Sequence, residues 1–213
     1  MIETLQAGGP VMIPILLCSV VALATLFERL WSLRRARVVP PAFTVEVMET
    51  VRQHRWGDAL TLCRKRDIPI ARILEVAIEA REERRPLIKE RVEEIGRREA
   101  AELERYTPIL GTVASISPLL GLLGTVGGMI VTFQVIETEG VEVGALAGGI
   151  SQALITTFAG LCVGIPALVA NRYVLARVDA LVIELEEIAL GLVNLITGDP
   201  TGDPVPSSDE AAK

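Results

Sequence analysis

Apolar residues follow two different patterns along this chain. In three stretches they are almost continuous: Thr4–Phe27, Tyr106–Ile136 and Val143–Asn171 contain no Asp, Glu, Lys or Arg over 24, 31 and 29 residues. About 20 predominantly apolar residues suffice for a helix to cross a bilayer, and a buried helix of a water-soluble protein rarely runs so long without a charge. These stretches predict membrane spans at 11–28, 106–136 and 147–171. Between the first two, apolar residues recur instead at helical spacing. Phe43, Val47 and Val51 form one stripe, Ala59, Leu60 and Cys63 a second, and Ile70, Ile73, Leu74, Ala77 and Ile78 a third. Pro86 opens a fourth helix through Leu87, Val92, Ile95 and Leu103. Past the third span, Val174, Val178, Leu181, Leu185, Ile188, Leu192 and Leu195 step by four and three, an a/d heptad pattern. Its seam must pack against the chain's own fourth helix or a neighbouring subunit. The fold class expected is all-α, with three transmembrane helices, a small helical domain at 29–105 and long helices continuing beyond the bilayer. The segment 172–197 is the helical extension of the third span. Gly198 ends it, and the Pro-, Ser- and Asp-rich residues 198–213 read as disordered.

Composition supports this picture. Half the residues are hydrophobic but only 4% are aromatic. The apolar excess lies in Ala, Val, Leu, Ile and Gly, as in packed membrane helices. Charge then sets the orientation. Eighteen of the 21 Lys and Arg lie between Arg29 and Arg105; the others are Arg172, Arg177 and Lys213. The connection at 137–146 carries Glu137, Glu139 and Glu142 and no basic residue. The positive-inside rule places 29–105 and the C-terminus in the cytoplasm, and the short 1–10 segment and the 137–146 loop on the other side. No cleaved signal peptide is expected, because the basic cluster follows the first apolar run. Cys18, Cys63 and Cys162 read as reduced packing residues.

The familiar constellations of enzyme chemistry are missing. His54 stands alone among charged neighbours and reads as a solvated surface residue. No Cys/His spacing fits a metal site. The glycine run from Gly121 to Gly128 has no Lys after it, so it does not read as a phosphate loop. Neither enzyme activity, cofactor, metal nor nucleic-acid partner is expected.

The informative residues lie in spans two and three. Gly121, Gly124 and Gly128 share one helical face, and Gly160 and Gly164 form a second small-residue pair. Such faces let helix backbones touch in lipid. Pro118, Gly121, Thr125, Gly128 and Thr132 share a face, as do Thr157, Gly160 and Gly164. The threonine hydroxyls either bond back to their own helix carbonyls or line a polar path. No span interior holds an acidic, basic or histidine residue. Proton relays generally use such groups, so a titrating group for any proton path would have to come from another chain.

The run from Pro118 through Gly121-Leu-Leu-Gly124-Thr125-Val-Gly-Gly128 to Ile130, followed by Phe133, resembles the signature of the MotA/TolQ/ExbB proton-channel family. Gly149 through Thr156-Thr157-Phe-Ala-Gly160, then Gly164-Ile-Pro-Ala167, resembles the family's third span. The likeness is close over residues 100–175. Three spans with a helical segment after the first resemble the ExbB/TolQ branch. The resemblance implies a bacterial inner-membrane protein that couples proton motive force to work across the periplasm, in biopolymer transport, envelope maintenance or gliding motility. It implies a homo-oligomer, most simply a pentamer, around a dimer of ExbD/TolR-like single-span partners that bring a transmembrane Asp, in contact with membrane lipid. On the family motif the proton-path threonines fall on Thr125 and Thr157, with Thr156 the adjacent alternative. Pro118, Gly121, Gly124, Gly128, Gly160 and Gly164 are the packing set. Where several ExbB-type members carry a bulky residue, this chain has Gly127. The competing reading is a non-conducting membrane scaffold assembled through glycine faces.

Overall fold

A computed structural model describes residues 9–139 and 143–198. Eight helices and no strand occur among them. They are α1 (Met12–Ser32), α2 (Arg35–Val38), α3 (Pro41–Arg52), α4 (Trp56–Arg64), α5 (Pro69–Glu79), α6 (Arg85–Glu104), α7 (Thr107–Glu139) and α8 (Val143–Thr197). α1, α7 and α8 are long and apolar enough to cross a membrane. The chain is thus an all-α, multi-pass membrane protein. The 55 residues of α8 give it a length of about 80 Å at 1.5 Å per residue, well beyond the ~30 Å hydrocarbon core. The helix passes Pro166 without a break and stops at Gly198, whose φ of +68 suits glycine at a helix end. The expected loop at 137–146 is helical at both ends, as far as Glu139 and from Val143. Residues 1–8, 140–142 and 199–213, including most of the expected disordered tail, lie outside the described residues.

The chain forms two compact units. The first comprises the described residues of 9–30 and 106–175. Here α1 buries only a narrow stripe, Met12, Ile15, Ala22 and Arg29, at spacings of three and seven. Its other faces leave Ile13, Leu17, Val20, Leu23 and Phe27 exposed, a surface suited to lipid. Arg29 is buried in the last turn. Its guanidinium makes a bidentate ion pair with Glu28 (2.5 and 2.7 Å) and lies 4.9 Å over the Tyr106 ring.

The second unit comprises 31–105 and the described residues from 176. Its helices begin where prolines permit: Pro41, Pro69 and Pro86 each stand in a first turn, where no N–H is needed. The core is aliphatic, built on Phe43, Val47, Ile70, Ile73, Leu74, Ile78 and Ile88, all at most 1% exposed. In the same unit Val178, Leu181, Leu185 and Leu192 of α8 are buried. Arg35 pairs with Glu184 at 2.6 Å and Arg85 donates to Asn194 at 2.8 Å. The seam of α8 is therefore covered within a single chain. Its fifth buried position is Ala189, one residue later than the strict heptad, and Ile188 and Leu195 are only half-buried. A straight helix of 3.6 residues per turn drifts against a seven-residue repeat, which moves the stripe by a residue.

Candidate functional site

α7 and the first half of α8 run antiparallel along a seam of small residues. Facing positions step down one helix as they climb the other: Gly111 meets Asn171, Gly121 meets Thr157, Gly128 meets Ala153, and Gly149 meets Thr132. The contact is backbone on backbone. A β-carbon on Gly160 would stand 2.5 Å from the Ser117 carbonyl oxygen and 3.0 Å from the Gly121 Cα. One on Gly121 would stand 2.9 Å from the Thr157 Cα, and one on Gly164 2.7 Å from Pro118 Cγ. Gly124 leaves room for the Thr156 side chain, which a β-carbon there would strike. Lipid tails are as apolar as leucine, so spans gain nothing from apolarity alone. Close approach and the dispersion contacts it allows hold them together instead. The six packing positions read from the sequence all lie on this seam. Gly127 does not: a side chain there would meet nothing within 4 Å.

The threonines divide three ways. Thr156 is 1% exposed and its hydroxyl donates to the Gln152 carbonyl of its own helix at 2.8 Å. Thr125 is half-buried and donates to Leu122, also within its own helix, at 2.7 Å. Thr157 is half-buried and crosses the seam, donating to the Gly121 carbonyl of α7 at 3.0 Å. That carbonyl stands four residues before Thr125, so helix geometry directs the Thr125 N–H at it as well. The two half-buried threonines are thus joined through one backbone oxygen. In Thr125 and Thr157 the hydroxyl hydrogen is committed to a carbonyl and the oxygen lone pairs remain available as acceptors. Residues 106–136 and 147–171 contain no Asp, Glu, Lys, Arg or His.

Ser117 escaped the sequence reading. It is fully buried at the Gly160 crossing, and its Oγ has no hydrogen-bond partner. It lies one turn before Gly121 on the same face, which is the signal that would have found it. Pro118, next in the chain, has no N–H and leaves the Ala114 carbonyl without its usual helix donor. The seam is therefore locally polar although no residue in it is charged. No group of three His, Cys, Asp or Glu able to hold a metal occurs among the described residues.

Residues 65–187, more than half of the chain, match the MotA/TolQ/ExbB proton channel family. The ExbB-like 1 protein of Synechocystis sp. is 33% identical over 176 residues, covering 81% of this chain and 69% of its own. The biopolymer transport protein ExbB of Neisseria meningitidis serogroup B is 30% identical over 203 residues, covering 86% and 91%. The Tol-Pal system protein TolQ of Haemophilus influenzae is 41% identical over 85 residues, covering 39% and 37%. The shared stretches, the antiparallel glycine seam and the three spans lead to one conclusion: the chain belongs to the ExbB/TolQ branch of the MotA/TolQ/ExbB proton channel family.

Proposed function

We propose that this chain is the proton-channel subunit of a bacterial inner-membrane motor that couples proton motive force to work across the periplasm. It acts as a homo-oligomer, a pentamer on the family pattern, around an ExbD/TolR-like single-span partner. The load is biopolymer transport, envelope maintenance or gliding motility. The observation that carries the reading is the Thr157 hydroxyl bonded across the seam to the carbonyl one turn before Thr125, in spans without a charge. Such a pair can serve a carboxyl group but cannot replace one. The partner's transmembrane Asp supplies the titrating group.

The hydroxyl geometry supports the following sequence of events. With their hydrogens held by backbone carbonyls, Thr125 and Thr157 offer lone pairs, which suit a protonated, neutral Asp as donor. To serve the ionised Asp, a hydroxyl must leave its carbonyl and donate to the carboxylate. A hydrogen bond to a charged group is worth about 1.5–3 kcal/mol and the neutral bond given up about 0.5–1.5. The net of about 1 kcal/mol per hydroxyl lowers the Asp pKa by somewhat less than one unit each, against desolvation that raises it. The carboxyl group is thereby kept able to cycle.

A second reading, a scaffold that conducts nothing, draws on Thr125 and Thr156 being satisfied within their own helices. Reconstitution separates the two. Liposomes holding this chain with its single-span partner are expected to pass protons under an imposed gradient, and liposomes holding this chain alone are not. No flux from the assembled pair would leave only the scaffold.

A further inference from the structure

Several basic residues of the second unit are matched by carboxylates. Arg52 pairs with Glu49, Arg55 with Asp58, Arg64 with Glu75 and Glu79, Arg91 with Glu83, and Arg72 with Asp67 and Glu99. In the segment that follows the first span, two arginines without such partners stand beside the end of a membrane helix. Arg34 and Arg37 are exposed, and neither forms an ion pair among the described residues. Arg35 between them is turned to Glu184. The Arg37 guanidinium lies 3.8 Å over the ring of Trp31, which is 57% exposed and sits in the last turn of the span helix α1. The backbone carrying these groups is pinned, because Leu33, Val38 and Val39 are each at most 3% exposed.

We propose that Trp31, Arg34 and Arg37 form a binding site for the headgroup of an anionic phospholipid. An indole at the end of a span lies at the headgroup level of the bilayer. Two guanidinium groups without carboxylate partners, held there on a fixed backbone, match the bidentate geometry of a phosphodiester. Stacking on Trp31 orients Arg37 with its N–H edge free. The membrane itself delivers this ligand to the end of the span, while its acyl chains stay in the bilayer. Zwitterionic lipid carries an ammonium that would meet the same arginines, so the site selects net negative headgroups. This conclusion is independent of the proton-channel reading.

The experiment uses the full chain in nanodiscs of phosphatidylcholine doped with phosphatidylglycerol, with bound lipid counted by native mass spectrometry. Wild type is expected to retain phosphatidylglycerol preferentially. The Arg34→Gln/Arg37→Gln variant is expected to lose about thirtyfold in that preference, from the usual contribution of two basic residues at an anionic surface. The charge-matched Arg52→Gln/Arg91→Gln variant is expected to behave as wild type. Equal retention by the first variant, equal loss by both, or displacement of the lipid by excess inorganic phosphate would each overturn the site. Should the first variant fail to fold, Trp56→Phe protein leaves Trp31 as the sole indole. Its fluorescence is then expected to be quenched more by brominated phosphatidylglycerol than by brominated phosphatidylcholine, and equal quenching overturns the proposal.

Discussion

The glycine seam and the helical domain are both helix packings, yet opposite physics holds them. In the domain, large aliphatic side chains leave water, and several surface charges find partners. Glu99, nearly buried, is held by Arg72 at 2.5 and 2.7 Å, with Asp67 on the guanidinium's other edge; these carboxylates keep the Arg72 pKa above its usual value despite partial burial. In the seam there is no water to leave, and specificity comes from what is absent: β-carbons at Gly121, Gly160 and Gly164. Adding a methyl and removing one should therefore have opposite consequences in the two places.

The largest effect expected is in the domain. Phe43 is 1% exposed and Ile78 wholly buried, so Phe43→Ala should cost about 3–5 kcal/mol and Ile78→Ala about 2–5. Denaturant titration of the detergent-solubilised chain, followed by circular dichroism, would measure this. In the seam the damaging change is the reverse one. Gly160→Ala should destabilise by roughly 1–3 kcal/mol, because the neighbours that must give way are backbone atoms. Gly127→Ala, two turns along the same span from Gly121 but facing open space, should instead stabilise by up to about 1 kcal/mol through helix propensity. Thermal melts of the two variants should move in opposite directions. Movement in the same direction would mean that the seam is looser than its geometry indicates.

The smallest effect is a matter of rate and pH. Cys63 is 1% exposed, and burial, with Glu75 nearby, pushes its thiol from 9.0 up to about 12. It should resist maleimide at pH 8 until the domain is unfolded. Below pH 9 the thiol is neutral in both states. Between 9 and 12 the unfolded chain loses its proton while the folded one keeps it, so domain stability should fall as pH rises. Cys63→Ser should remove that slope.

Much of this architecture was legible in advance because it rests on periodicity and absence of charge. The spans, the proline-led helices of the domain and all six packing positions follow from spacings that a helix imposes, and Pro118, Gly121 and Gly160 met where the small-residue faces pointed. What was not legible depends on a partner across space. Spacing alone left each threonine a choice between its own carbonyls and something else. Thr125 and Thr156 took acceptors in their own helices and Thr157 took the Gly121 carbonyl across the seam, a choice set by where the facing backbone lies and not by spacing. The heptad held at Val174, Val178, Leu181, Leu185 and Leu192 and departed at Ile188, where Ala189 is buried instead, as a period of 3.6 and not 3.5 dictates. Ser117 was missed because a serine in an apolar span normally bonds to its own helix, and this one does not.

The most direct test of the account is proton flux through the assembled complex carrying Thr157→Val, with Thr157→Ser beside it. Valine keeps the shape and removes the hydroxyl that reaches Gly121; serine restores the hydroxyl without the methyl. Assembly, judged by native mass spectrometry, should be unchanged in both. Flux should fall at least several-fold with valine and largely return with serine. Wild-type flux from a correctly assembled Thr157→Val complex would show that this hydroxyl only fastens one helix to the other, and would contradict the proton-path reading.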